Sequence, residues 1–193
     1  NAIEFDAPDA IVLNNTTTIT VSGYTVDLPD DFTRTDAEGS VVKAGGNLTF
    51  VPKDPNYDYT VTVTVGGVEV PPVIGEDGTY TVSNVNGNVV VTSTKTPKTF
   101  TVAQGEDTTG AATATYMKDY TFKLTPAEGY TYNMAVTIGG KAYTGFTANV
   151  NDDGTTTYTI PGADVTGDIV INSNKTEKQP ETFTVKFDGA GAA

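Results

Sequence analysis

The chain has 193 residues, a length that corresponds to roughly one to one and a half domains. Its 11 basic and 24 acidic residues leave a net charge of −13, which speaks against nucleic acid, because phosphate affinity is carried by clustered Lys and Arg. His and Cys are both absent, removing thiol nucleophiles, His-based serine triads, the usual zinc sites and haem ligation.

Apolar residues make up only 37%, yet Val, Ile, Tyr and Phe recur in ordered patterns that a disordered acidic chain lacks. No apolar run approaches the ~20 residues needed to span a bilayer, so membrane insertion is not expected. Taken in chain order, Asn1-Ala2-Ile3-Glu4-Phe5-Asp6 has neither the basic start nor the apolar stretch of a signal peptide. Residues 5–20 are expected to cap the array of strands, and 27–43 to form a long loop with one weak strand. In 57–65, Tyr57, Tyr59, Val61, Val63 and Val65 fall on one face and Thr60, Thr62 and Thr64 on the other. That period of two marks a half-buried strand. Gly66-Gly67, Asp77-Gly78 and Asn86-Gly87 supply the positive φ of tight turns. The expected inward core is Tyr57, Val61, Val63, Val65, Tyr80 and Val90. Lys95-Thr96-Pro97-Lys98 reads as a short linker stiffened by its proline, which favours an extended string of modules.

From there the pattern returns. Asn56-Tyr57-Asp58-Tyr59 through Gly66-Gly67 aligns without a gap on Gly129-Tyr130-Thr131-Tyr132 through Gly139-Gly140. Leu48-Thr49-Phe50-Val51-Pro52 aligns with Phe122-Lys123-Leu124-Thr125-Pro126, and Asp77-Gly78 with Asp153-Gly154. Thr79-Tyr80-Thr81-Val82 matches Thr157-Tyr158-Thr159-Ile160, and Asn86-Gly87-Asn88 matches Thr166-Gly167-Asp168. The order is kept throughout, so the chain holds two copies of a unit of about eighty residues and a tail. The second core is then Tyr130, Met134, Val136, Ile138, Tyr158 and Val170. Six or seven short strands per copy, separated by glycine turns, fit an immunoglobulin-like sandwich without the Cys–Trp–Cys centre of antibody domains. The expected fold is all-β, two tandem immunoglobulin-like β-sandwich modules over residues 1–98 and 99–193.

The tail Glu181-Thr182-Phe183-Thr184-Val185-Lys186-Phe187 repeats Lys98-Thr99-Phe100-Thr101-Val102. By repeat phase, residues 182–193 start a third copy; alternatively they close the second. The favoured expectation is closure, by folding back across Gln179-Pro180 onto 169–172. The equivalent hairpin in the first copy joins 89–92 to Phe100 and Val102.

The strings Tyr120-Thr121-Phe122-Lys123-Leu124-Thr125-Pro126-Ala127-Glu128-Gly129-Tyr130, Gly139-Gly140-Lys141, Tyr158-Thr159-Ile160-Pro161 and Val165-Thr166-Gly167-Asp168-Ile169-Val170-Ile171 resemble the tandem immunoglobulin-like repeats of bacterial cell-surface proteins, of the kind found in gut Gram-positive bacteria. The likeness covers nearly all of 44–187. It implies modules that project from a cell wall as stalks or adhesins, with no shared catalytic residues to carry over.

Candidate chemistry is sparse. Gly75-Glu76-Asp77-Gly78 and Asn151-Asp152-Asp153-Gly154 lack the alternate ligand spacing of a calcium loop and fit hairpin turns better. Asp27, Asp30, Asp31, Asp54 and Asp58 read as a solvated acidic face. Among aromatics, those repeated in both copies (57, 59, 80, 130, 132 and 158) suit a core. Tyr24, Phe32, Tyr116, Tyr143 and Phe146 belong to one copy each and are the better ligand candidates, although Tyr143 and Phe146 also suit a sandwich edge. An isopeptide bond from Lys43 or Lys123 to Asn172 is disfavoured, because Lys123 alternates outward between Phe122 and Leu124. Asn-x-Thr sequons at Asn14, Asn15, Asn47 and Asn174 follow from composition. No catalytic, metal or cofactor site is expected, and no ligand-binding residue is assigned.

The expected function is non-catalytic: extracellular repeat modules serving as stalk, spacer or adhesive part of a bacterial surface protein. The alternative is an accessory carbohydrate-binding module of a secreted polysaccharide-degrading enzyme. Expected partners are a host or cell-surface protein or a glycan, and the expected state is a monomer.

Overall fold

The computed structural model describes residues 23–37 and 39–179, Thr184, and the backbone of two short strands, β1 (Ile11–Val12) and β2 (Thr18–Ile19). β1 and β2 pair antiparallel, with Ile11 opposite Ile19. Apart from that pairing the expected cap lies outside the described residues, and so, Thr184 aside, does the folded-back tail. Contacts divide the chain into two compact units, Asn1–Lys98 and Thr99–Ala193.

The first unit contains β3 (Gly23–Asp27), β4 (Phe32–Arg34), β5 (Val41–Lys43), β6 (Leu48–Pro52), β7 (Tyr57–Val65), β8 (Val68–Glu69), β9 (Val73–Ile74), β10 (Tyr80–Val82) and β11 (Val89–Pro97). They form two sheets, in the orders β4-β6-β10-β9 and β5-β3-β11-β7-β8. The second unit contains β12 (Thr99–Ala103), β13 (Thr108–Gly110), β14 (Thr113–Thr115), β15 (Tyr120–Leu124), β16 (Tyr130–Ile138), β17 (Lys141–Tyr143), β18 (Thr147–Val150), β19 (Thr156–Ile160) and β20 (Ile169–Glu177). Its sheets run β13-β15-β19-β18 and β14-β12-β20-β16-β17, the same order strand for strand. The chain is all-β, and a 3-10 turn at Gly162–Asp164 is its sole helical element among the described residues. Among the described residues the two larger sheets of each unit hold nine strands, more than expected, because 27–43 yields both β4 and β5 and the connection after Val65 contributes β8 and β9.

In each unit the two sheets close on one apolar core. Leu48, Phe50, Tyr80 and Val82 from one sheet meet Val63, Val65, Val89 and Val91 from the other. Tyr120, Phe122 and Ile160 meet Val136, Ile138, Ile169 and Ile171 in the second. A stacked aromatic pair recurs, Phe50 on Tyr80 at 5.2 Å and Phe122 on Tyr158 at 5.0 Å. These pairs make Phe50 the equivalent of Phe122, a slip of two residues from the sequence alignment. A shift of two leaves the inward face unchanged, so alternation could not detect it.

The threonine face of β7 points outward as expected: Thr60 and Thr62 are exposed while Val63 and Val65 are buried. The inward assignment of Val90 and Val170 is wrong. They are 41% and 39% exposed, whereas their neighbours Val89, Val91, Ile169 and Ile171 are buried. Register explains the error: Val89 lies opposite Val65 and Val91 opposite Val63, which leaves Val90 opposite the outward Thr64. Directly opposed residues share a face. The tyrosines at the start of β7 and β16 are likewise only half-buried, since the inward side of Tyr57, Tyr59, Tyr130 and Tyr132 lies beyond the packed centre.

Lys95-Thr96-Pro97 is not a linker. β11 runs unbroken to Pro97, which lies opposite Tyr57, so the nine residues of β7 are paired along their whole length. Proline stands at the last position, where its missing donor interrupts nothing. The expected hairpin from 89–92 to Phe100 and Val102 is absent too. Phe100 lies opposite Ala114 and Val102 opposite Ile169. The edge of β11 at Val89 and Val90 is instead taken by the unit's own β3, the first strand of its two larger sheets, running parallel, with Val26 and Asp27 as partners.

Candidate functional site

Both acidic turns are built as turns. Gly78 N–H donates to Gly75 O and Gly154 N–H to Asn151 O, each at 3.0 Å, with both glycines at positive φ. Asp77 accepts from the backbone and hydroxyl of Thr79, and Asp153 does the same from Thr155. Those hydrogen bonds hold both carboxyls below the usual carboxylate range. Among the described residues, no group of three or more Asp or Glu is placed to hold a metal. The first unit's acids are dispersed: Asp31 pairs with Lys95 at 2.7 Å, Asp54 accepts from Asn56, and Asp27, Asp30 and Asp58 are exposed.

The aromatics particular to one copy do not form a platform. Phe32 is core, packed edge-on to Phe50 at 5.5 Å. Tyr24, Tyr143 and Phe146 are half-buried against their units' cores, and Tyr116 is half-buried as well. The Tyr143 hydroxyl donates to Asp164 at 2.6 Å, and burial together with that carboxylate pushes its pKa up to about 12. Lys43 and Asn172 are exposed, and Lys123 reaches outward to Asp153 at 3.6 Å. Asn47 and Asn174 are exposed, while Asn14 and Asn15 lie outside the described residues.

What the two units do share is a clasp at the far end of the long strand pair. In the first, Lys95 on β11 stands over the Tyr57 ring at 4.7 Å and pairs with Asp31. In the second, Lys175 on β20 stands over Tyr130 at 5.4 Å and pairs with Glu106 at 3.1 Å and Asp107 at 3.7 Å. Hydrogen bonding to the carboxylate raises both ammonium pKa values. Sequence reasoning missed the clasp, and the one signal for it is that Ser93-Thr94-Lys95-Thr96 and Ser173-Asn174-Lys175-Thr176 occupy the same repeat phase, just beyond the aligned blocks.

The second tyrosine differs between copies. Tyr132 donates to Asp107 at 2.6 Å and accepts from Ala127 N–H at 3.0 Å. The Tyr59 hydroxyl is buried with no hydrogen-bond partner among the described residues. Burial, then the nearby Asp31 charge, raises its pKa. Tyr59 lines a cleft of about 470 Å³ in the first unit, together with Pro52, Tyr57, Ile74, Asp77 and Tyr80. Ring faces and an exposed Ile74 line the cleft, with the Tyr59 hydroxyl buried beneath its surface. The cleft's Asp77 is tied into a turn, and its lowered pKa is the reverse of what a general acid requires.

Compared with known proteins, the chain matches no family model, no curated protein and no solved structure.

Proposed function

We propose that the chain is two tandem immunoglobulin-like modules serving as a stalk or spacer in a bacterial surface protein, outside the cell and without catalytic activity. The observation that carries this is the duplication itself: topology, turns, stacked pair and clasp are repeated in both units. A part kept in both copies serves what both copies do, which is to hold a module together. Strand order supports the immunoglobulin-like assignment. β6, β10 and β9 follow one another as strands B, E and D do, and β11, β7 and β8 as F, C and C′ do, in the same chain order. The departure is at the position of strand G, which the module's own first strand fills in parallel.

A second function is favoured by the cleft beside Tyr59: recognition of a glycan, as in an accessory carbohydrate-binding module, or of a surface protein. A glycan array and a cell-binding assay with the 193-residue chain decide between them. A pure spacer sediments as a monomer and binds neither. Binding that disappears in Tyr57→Ala but persists in Tyr116→Ala would establish the cleft as a ligand site instead.

A further inference from the structure

We infer that each unit is a load-bearing element whose resistance to stretching resides in the parallel pairing of the first and last strands of its two packed sheets, braced at both ends by side chains. In the second unit, chain tension enters at Thr99 and leaves beyond Glu177. β12 runs forward from Thr99 and β20 forward to Glu177, side by side and parallel, with Val102 opposite Ile169 and Ala103 opposite Val170. Tension therefore draws β12 back toward its start and β20 on toward its end. The bonds between them are loaded along the strands and together, rather than one after another as when a hairpin opens. β20 is the fixed partner, being paired with β16 over its whole length. The first unit has the same arrangement in β3 and β11.

Two backbone pairs make a short ladder, and in both units side chains lengthen it. Before the ladder, Asp168 Oδ1 accepts from Thr101 N–H at 2.8 Å, and Asn88 Oδ1 accepts from Thr25 N–H at 3.2 Å. The residue types differ while the bond is kept, so the repeated requirement is the acceptor oxygen and not its charge. Beyond the ladder, the loop that follows the first strand is tied to the last strand by Lys95–Asp31 and by Lys175 with Glu106 and Asp107. Ser173 Oγ adds a bond to Glu106 O in the second unit. All these ties connect the segment pulled one way to the strand pulled the other. The inference deepens the stalk proposal and rests on it for its use in the cell, whereas pulling the purified chain examines the clamp alone.

Because the chain has no cysteine, handles can be placed by single introduced thiols. Single-molecule stretching of the full chain through T99C and K178C loads the clamp lengthwise; stretching through T99C and T166C peels β12 from the start of β20. The lengthwise geometry is expected to need roughly twice the force, forced unfolding being set by the unfolding rate in each direction. Asp168→Ala should speed lengthwise unfolding about fivefold at a fixed load, the weight of one hydrogen bond, and change peeling, which breaks that bond first and by itself, by less. Asp168→Asn should restore the wild-type rate, as Asn88 predicts. Asn88→Ala gives the same readout in the first unit, stretched lengthwise through S22C and K98C, if Asp168→Ala does not fold. Equal forces in the two geometries, or an Asp168→Ala effect equal in both, would overturn the clamp.

Discussion

Val90 and Val91 differ by one step along β11, yet one faces solvent and the other the core. Val91→Ala should therefore destabilise the first unit by about 2 kcal/mol, and Val90→Thr should change it by less than about 0.5 kcal/mol, both measured by urea unfolding. The same parity, applied to the second unit, spares Val170 and penalises Ile171. Tyr143 gives a prediction in pH. Its native pKa stands near 12, above the unfolded 10.0, so its contribution is complete below pH 10 and is lost as the pH rises from there toward the native value. Tyr143→Phe should flatten that part of the alkaline unfolding profile. A steeper profile in the variant would show that the Asp164 contact does not protect the phenol.

At the scale of elements, the sequence was informative wherever an apolar face alternates over many residues. β7 and β16 were legible in position, register and duplication for that reason. The short strands were not: β4 has three residues and β9 two, too few for a period to emerge. The boundary after β11 was obscured by a local signal, since Lys95-Thr96-Pro97-Lys98 has the composition of a linker while its partner β7 draws it into a sheet. The site was harder still, because the clasp joins lysines to tyrosines and acids that are remote in sequence. Edges carry their own prediction. β9 follows Pro71-Pro72, which limits pairing by a neighbour, but β18 is exposed throughout and uncharged, with Val150 75% exposed. Val150→Lys should slow aggregation on agitation while moving the unfolding midpoint by less than about 0.5 kcal/mol in equivalent stability.

For the whole molecule, each unit has its own core and its own pair of sheets. Residues 99–179 expressed alone should thus unfold in one cooperative transition, with a denaturant slope matching the exposure of a single domain of that size. A fragment lacking cooperative unfolding would mean that the second core depends on the first. The net charge of −13 favours solubility at neutral pH through self-repulsion between molecules.

Joining a unit's first strand to its last also sets the order in which the unit can form. The bonds Thr25–Asn88 and Thr101–Asp168 close separations of 63 and 67 residues, so β3 and β12 must wait, unpaired on that side, until almost the entire unit has been synthesised. Long closures of this kind are slow, and local pairings form first. The fastest competitor is in the chain itself: Lys98 alone separates β11 from β12, and an antiparallel hairpin between them closes far sooner than the native ladder. The hairpin that the sequence suggested is therefore the trap this topology invites. In the native arrangement Asn88 and Asp168 supply a bond that the hairpin cannot reproduce.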